Sequence, residues 1–236
     1  MITVSIVKRA MDITLGTAFL MLSSPVMLTI AAAVKLTSKG PALYKQPRAG
    51  VLIKSNDEVP IFQVYKFRTM VLDAEKKTGA TLSKKNDPRI TKIGGFLRRT
   101  RLDELPQFLN VIKGEMSIVG PRPERPELMR PLNASIPFFE ERLRFIKPGI
   151  TGLAQIKLLY DGNLPKNSEL QRLKNSFVNP YNLDEAEGAV ADGMRLKLLY
   201  DLVYSLCLER FSTFIKTDLT IMIKTPLVMF LGKTGQ

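Results

Sequence analysis

Histidine is absent from all 236 residues, and cysteine occurs once, at Cys207. Without histidine the usual neutral-pH proton shuttle is missing. Serine–histidine and cysteine–histidine nucleophile pairs are thereby excluded, as is a histidine-ligated metal. A single cysteine forms neither an internal disulfide nor a thiolate zinc cage. Acidic residues are also in deficit: 22 Asp and Glu stand against 35 Lys and Arg, a net charge of +13. Any catalysis falls to carboxylates, Lys, Arg, backbone amides or a hard cation. The charge points to an anionic partner: nucleic acid, an anionic membrane surface, or a phosphate-rich small molecule. The length suits one sizeable domain better than two.

What the chain does have is a long apolar run. Ile13 to Val34 carries no charged side chain over 22 residues, enough for a helix to cross a bilayer. Lys8 and Arg9 precede it, and Lys35 and Lys39 follow. If basic flanks stay in the cytoplasm, both ends belong on the same side. Ser23, Ser24 and Pro25 lie mid-run, and proline removes a helix hydrogen bond and bends the axis. A re-entrant helix that enters one leaflet, breaks at Ser24-Pro25 and returns satisfies both facts, with the serine hydroxyls capping the freed carbonyls. Three other readings compete. One is a plain spanning helix with a kink, and another is a buried soluble helix. The third is a cleaved signal peptide ending near Ala31-Ala32-Ala33, which the length of the run and the basic stretch after it disfavour.

Beyond Gly40-Pro41, strand-like segments at Ala42–Gln46 and Ile61–Met70 predict a small β-hairpin around the Lys54–Pro60 loop. Asp73–Asp87 reads as a helical turn and an exposed loop. Ile93–Arg101 and Asp103–Ile112 read as short helices, the second ending near Gly114. Arg125–Ile146 holds another, with Phe138, Phe139, Leu143 and Ile146 as an apolar stripe for either core or membrane. Asp161–Asn182 is polar and reads as a loop or insertion. Arg195–Leu208 and Phe214–Phe230 read as helices lying along the bilayer interface; Lys224 and Pro226 argue against the last one spanning.

Charge is densest between Arg98 and Arg125: Arg98, Arg99 and Arg101, then Asp103-Glu104, then Arg122 and Arg125 after Gly120-Pro121. Neighbouring carboxylates on a helix point about 100° apart. One can attack a substrate while the other holds a metal ion. A nearby helix start is expected to lower a carboxylate's pKa. Arginines on either side suit a diphosphate, since the guanidinium fork grips phosphate oxygens in two places. The plainer reading of an Asp-Glu pair is a surface ion-pair network with Arg101.

The surrounding motifs tip that balance. Lys8-Arg9 with Asp12, Gly40-Pro41, Gln46–Gly50, Tyr65–Met70, Asp87–Thr91, Gly94–Pro123 (GGFLRRTRLDELPQFLNVIKGEMSIVGPRP) and Lys147–Gln155 occur in order. This arrangement resembles the bacterial sugar transferases that make polyprenyl-diphosphate-linked sugars, the monotopic phosphoglycosyl transferases. The LDELPQ and GPRP pair is highly specific, and the likeness runs almost end to end.

The resemblance implies transfer of a sugar-1-phosphate from a UDP-sugar to polyprenyl (undecaprenyl) phosphate with release of UMP. Asp103 would be the nucleophile, forming an aspartyl-phosphosugar, and Glu104 would help bind magnesium, Mg2+. Lys66, Arg68, Arg98 and Arg122 become phosphate-binding candidates. The implied fold is α+β and mainly helical. It comprises a re-entrant membrane helix (residues 1–38, broken at Ser24 and Pro25) and a catalytic domain (39–236) with interfacial helices and a small hairpin. The implied location is the cytoplasmic face of the bacterial inner membrane, against anionic membrane lipid.

Two departures stand out: Arg101 where a small residue is usual, and a long 161–193 insertion. Asp201 and Asp218, in family-like C-terminal stretches, either touch the site or are solvated on a helix face. With no further apolar run ahead of residue 13, the chain is expected to resemble the small, minimal members. A nucleic-acid-binding module is disfavoured because the basic residues are not interleaved with stacking aromatics, so nucleic acid is not expected as a partner. A catalytically silent scaffold is disfavoured by the intact Asp103, Glu104 and Arg122. The donor sugar, the pathway and the oligomeric state stay open.

Overall fold

The computed structural model describes residues 2–52, 59–74, 87–158 and 188–231. Helix α1 (Ile2–Thr37) leads into an antiparallel hairpin of β1 (Leu43–Ala49) and β2 (Ile61–Phe67), with Leu43 opposite Phe67 and Ala49 opposite Ile61. Then follow α2 (Lys92–Thr100), a 3₁₀ turn (Leu102–Glu104), α3 (Gln107–Lys113), β3 (Ser117–Val119) and α4 (Pro126–Ser135). A second 3₁₀ turn (Phe139–Leu143), β4 (Gly149–Thr151), α5 (Leu153–Lys157), α6 (Gly188–Cys207) and α7 (Phe211–Leu231) complete the chain. The architecture is mainly helical α+β, as expected, and the hairpin forms where the alternation placed it. Most of the expected 73–87 loop, and the 161–193 insertion up to residue 187, lie outside the described residues.

The first half of α1 is tied to the rest by its charged residues. Lys8 pairs with Asp218 of α7 at 2.6 Å. The Arg9 guanidinium donates to the carbonyls of Val111 and Ile112 at 2.6 and 2.7 Å, capping the negative end of α3. Asp12 is buried and accepts from the Ser117 hydroxyl and the Ile118 N–H at 3.0 and 2.9 Å. One turn on, Gly16 lets the helix approach so closely that a Cβ there would stand 3.2 Å from Val111. The Lys8-Arg9/Asp12 motif is therefore a docking device. Near the other end, Ile30 and Val34 are buried in a cluster with Ala42, Phe67 and Leu97. Both halves of α1 thus pack on one body.

Between these contacts the helix presents bare hydrocarbon: Met21, Leu22 and Leu28 are each at least 70% exposed. Among the described residues, α1 is the one helix long and apolar enough to cross a membrane. At the expected break, Ser24-Pro25, the helix is not interrupted: α1 is helical through both residues. The carbonyl orphaned by a proline is the one four residues back, here that of Met21. The Ser24 hydroxyl donates to it at 2.7 Å, while Ser23 bonds the Phe19 carbonyl at 2.7 Å. Local capping supplies what the proline withholds, so the helix continues.

The main core joins β2, α3, β3, α6 and α7 through Val64, Val111, Met116, Val119, Tyr204 and Ile221. Of the proposed apolar stripe, Phe139, Leu143 and Ile146 are buried and Phe138 is exposed, so the stripe is chiefly core. Leu199, Val203 and Leu206 of α6, and Leu219, Ile223 and Leu227 of α7, remain exposed opposite the packed faces. Such apolar outer faces suit an interfacial position. A parallel pairing of β3 with β4 was not anticipated. It is very tight: a Cβ on Gly120 would stand 2.2 Å from the Lys147 carbonyl, and one on Gly152 the same distance from the Gly120 carbonyl. The glycines of GPRP and PGITG are there because two backbones meet without room for side chains.

Replacing Asp12 by Ala leaves the buried Ser117 hydroxyl and Ile118 N–H without an acceptor. That substitution is expected to cost about 1–3 kcal/mol, measured as a lowered thermal unfolding transition.

Candidate active site

The Asp103-Glu104 pair sits on neither of the flanking helices. Helix α2 begins at Thr91, whose hydroxyl accepts from the Gly94 N–H at 3.0 Å. Gly94 then passes against Thr69, where a Cβ would come within 2.0 Å of the carbonyl oxygen. After Thr100 the chain turns through Arg101 in the left-handed region, φ 58° and ψ 13°. For a residue with a Cβ this costs about 1–2 kcal/mol. The next residues form the separate 3₁₀ turn, and Pro106 precedes α3, so the single helix expected over Asp103–Ile112 is two elements. Leu102 and Leu105 pack into the cluster of Ile30, Val34, Phe67 and Leu97. The two carboxylates between them face the opposite way.

Glu104 is buried yet fully engaged. Arg122 Nη2 lies 2.7 Å and Lys66 Nζ 3.1 Å from its Oε1, with Arg101 at 3.9 Å. Burial opposes ionisation of this carboxyl, but Arg122 and Lys66 outweigh it and hold its pKa well below the usual range. Asp103 differs. Its carboxyl is buried and Oδ1 has no hydrogen-bond partner. Burial, then the charge of Glu104, pushes its pKa up to about 6, against Lys66, Arg101 and Arg98. The expectation that helix amides would lower the pair's pKa is therefore corrected. Cations lower one member, and desolvation raises the other. Divergent environments for adjacent carboxyls assign them different tasks.

Lys66 reaches the pair because Asn110 staples α3 to β2. Its side chain accepts from the Tyr65 N–H at 3.0 Å and donates to the Gln63 carbonyl at 2.7 Å. Arg98 is oriented by a 2.8 Å bond from Nε to the Thr69 hydroxyl and lies in the field of Asp103. Arg68 is not brought to the pair: its buried guanidinium donates to the Ser38 carbonyl at 2.9 Å and to that of Lys39, closing the end of α1. Strand β2 ends at Phe67, so the alternation that aligns residues 66 and 68 lapses.

Arg48, in the QPRAG segment, was overlooked as a site residue. It donates to the Pro123 carbonyl at 3.0 Å and the Gln46 amide oxygen at 2.7 Å. Burial, then Arg122, lowers its pKa to about 10. With Lys66, Gln107 and Arg122 it lines a small cleft beside Glu104. Three cations around one cleft are able to donate to phosphate oxygens.

Behind Arg122 stands a second buried charge network. Arg142, 1% exposed, pairs with Asp201 at 2.8 Å and Glu124 at 3.3 Å, and donates to the Arg122 carbonyl at 2.9 Å. Lys197 joins Glu124 at 3.5 Å. Asp201 thus supports the site from behind without touching the Asp103-Glu104 pair. Asp218 holds Lys8 and accepts from the Tyr204 hydroxyl at 2.8 Å, serving the α1 docking instead.

The family model of bacterial sugar transferases matches residues 3–232, spanning the whole of this architecture. The chain belongs to the bacterial sugar transferase family. It is 50% identical over 151 residues to the UDP-glucose:undecaprenyl-phosphate glucose-1-phosphate transferase of Escherichia coli K12, covering 64% of this chain and 31% of that protein. It is 36% identical over 219 residues to an Aeromonas hydrophila UDP-N-acetylgalactosamine-undecaprenyl-phosphate N-acetylgalactosaminephosphotransferase, covering 93% and 42%. With a Bacillus subtilis putative undecaprenyl-phosphate N-acetylgalactosaminyl 1-phosphate transferase the identity is 43% over 155 residues, covering 66% and 78%. The chain matches less than half the length of the first two relatives.

Within this bacterial sugar transferase, two adjacent carboxylates, one with an unpartnered buried oxygen, fit a hard cation that keeps water and phosphate as further ligands. Among the described residues no cluster of three or more acidic side chains forms an all-protein metal cage.

Arg142→Met leaves Asp201 and Glu124 buried beside an apolar group. It is expected to lower stability by about 3–5 kcal/mol, read from denaturant unfolding in detergent.

Proposed function

We propose that the protein moves a sugar-1-phosphate from a UDP-sugar onto polyprenyl phosphate, releasing UMP, at the cytoplasmic face of the inner membrane. The observation that carries this reading is the unpartnered carboxylate oxygen of Asp103, buried next to a Glu104 that Lys66 and Arg122 hold ionised. The relatives, named as undecaprenyl-phosphate sugar phosphotransferases, support it.

In the first half-reaction an Asp103 oxygen attacks the sugar-bearing phosphorus. The bond from that phosphorus to the bridging oxygen breaks, and UMP departs with that oxygen and its electron pair. The aspartyl-phosphosugar left behind divides one difficult transfer into two. An oxygen of polyprenyl phosphate then attacks the same phosphorus, and Asp103 leaves as a carboxylate. Arg122, Lys66 and Arg48 line the cleft for the diphosphate, where fixed donors stabilise charge on the transferring group. Arg98, held by Thr69, adds positive potential beside Asp103. Glu104 would hold magnesium, which would supply further charge neutralisation at the transferring phosphate.

The lipid acceptor requires that this site lie at the headgroups. The re-entrant arrangement turns on a bend at Pro25 within the continuous helix, and the packing of both halves of α1 on one body, with exposed hydrocarbon between them, supports it. Single cysteines at positions 5 and 45 are then both labelled from the cytoplasmic side. Labelling from opposite sides would return α1 to a spanning helix.

Asp103→Asn is expected to abolish UMP release, measured over a panel of UDP-sugars with magnesium and undecaprenyl phosphate; near-normal turnover by this variant would overturn the assignment. Asp103 must be ionised to attack, and its pKa is raised to about 6. The rate of the first half-reaction should therefore be full above that pH and fall roughly tenfold per unit below it. A rate flat from pH 7 to 5 would remove Asp103 as the nucleophile.

A further inference from the structure

A second cavity, of about 350 Å³, opens where the start of α1 meets residues 141–147 and the end of α6. That is within the size range of small-molecule sites. None of the residues that surround the Asp103-Glu104 pair lines it. A phosphate bound here is not placed for attack, which needs reacting atoms about 3–3.5 Å apart.

The chemistry of its walls is mixed. Val4, Phe145, Ile146, Leu202, Leu206 and Leu208 supply an apolar lining, and Phe145 and Leu206 at the mouth are 59% and 63% exposed. Lys8, Arg9, Arg144 and Lys147 bring positive charge. Much of the opposing charge is already engaged: Asp12 is held by Ser117 and Ile118, Lys8 by Asp218, and Glu141 by Arg144. Glu209 also lines the cavity and is exposed at the end of α6. Lys147 stands apart, with no ion pair or hydrogen bond from its ammonium among the described residues. Lys147 Nζ and Arg9 Nη2 flank one point, 3.5 and 3.2 Å from where a Cβ on Gly114 would stand. Asp12 adds negative potential at Lys147 but is committed to Ser117 and Ile118, so among the described residues no carboxylate pairs with the Lys147 ammonium.

We propose that this cavity binds an anionic phospholipid of the bilayer, its phosphate against Lys147 and Arg9 and its acyl chain leaving between Phe145 and Leu206. The choice of a lipid over a soluble phosphate rests on the apolar lining and on the exposure of Phe145 and Leu206. The choice of a resident lipid over the lipid substrate rests on the separation from Asp103. The proposal relies on the membrane placement set out above and is independent of the reaction. Because Lys8, Arg9 and Asp12 both line the cavity and dock α1, occupancy stabilises that docking.

The test places the full chain in nanodiscs of phosphatidylcholine, with or without a minor fraction of phosphatidylglycerol. Thermal unfolding and the lipid retained in native mass spectra are read, with UMP release followed in parallel. Phosphatidylglycerol should raise the unfolding temperature of the wild type, and one such lipid should remain bound after release from the disc. Lys147→Gln should cut that rise to less than half while leaving the unfolding temperature in pure phosphatidylcholine unchanged. Leu206→Glu, at an exposed position, should do the same by placing a negative charge at the mouth. Retention of the full rise by both variants would overturn the site. So would polyprenyl phosphate displacing phosphatidylglycerol one for one, since the cavity would then be the acceptor's. Loss of UMP release with the lipid effect intact would count against the proposed reaction alone.

Discussion

A carboxylate taken out of water survives as an anion only if positive charge replaces the lost hydration. Glu104 is that carboxylate, and the rest of the fold follows from how its cations are delivered. Lys66 arrives on β2, held at the right height by the Asn110 staple. Arg122 arrives on the segment after β3, whose place is fixed by the glycine-on-glycine pairing with β4 and by Arg142 beneath its carbonyl. Three stretches far apart in sequence thus converge on one side chain. Its neighbour Asp103, deprived of a comparable partner, is left with the higher proton affinity. The contrast between two adjacent residues is the chemical asset of the site, and it exists only because the surrounding segments are rigidly placed.

The same short turn couples chemistry to the membrane. Leu102 and Leu105 pack against Ile30 and Val34 of α1, so the carboxylates rest directly on the membrane-facing helix. At its other end that helix is fastened by Lys8, Arg9 and Asp12. The proposed reaction needs a common meeting plane for a soluble donor and a lipid-borne acceptor, and these two sets of contacts hold the carboxylates at a set height on α1. The buried Arg142–Asp201–Glu124 group performs the analogous task from the other side, tying Arg122 to α6.

How much of this was legible in the chain depended on the range of the interaction. The hairpin, α2 and the two C-terminal helices were readable because periodicity is local. The Asp103-Glu104 pair and Arg122 were readable from dense motifs. The 3₁₀ turn was obscured because Leu102, Leu105 and the following apolar residues mimic a helical stripe, although Pro106 was a signal. The strand-like stretch was carried to Met70, three residues past the end of β2 at Phe67, so the turn of Arg68 toward the end of α1 left no local trace. The β3–β4 pair, at three residues a strand, is too short to leave a periodic trace. Arg48 and Arg142 act through partners 75 and 59 residues away, at Pro123 and Asp201, and no local pattern encodes such distances.

The unbroken passage of α1 through Pro25 has a metric consequence. From Pro25 to Val34, where the helix meets the leucines of the catalytic turn, nine residues at 1.5 Å each give about 14 Å. Half of a hydrocarbon core about 30 Å thick is about 15 Å. Under the re-entrant arrangement, which requires α1 to bend at Pro25 without interrupting its helix, the bend is a depth gauge: it reaches the midplane when the carboxylates stand level with the phosphates. Such a ruler tolerates changes of side chain but not of length. One inserted residue would raise the turn by about 1.5 Å and swing it by about 100°. A membrane of different thickness would present the same enzyme with its lipid phosphate at the wrong height.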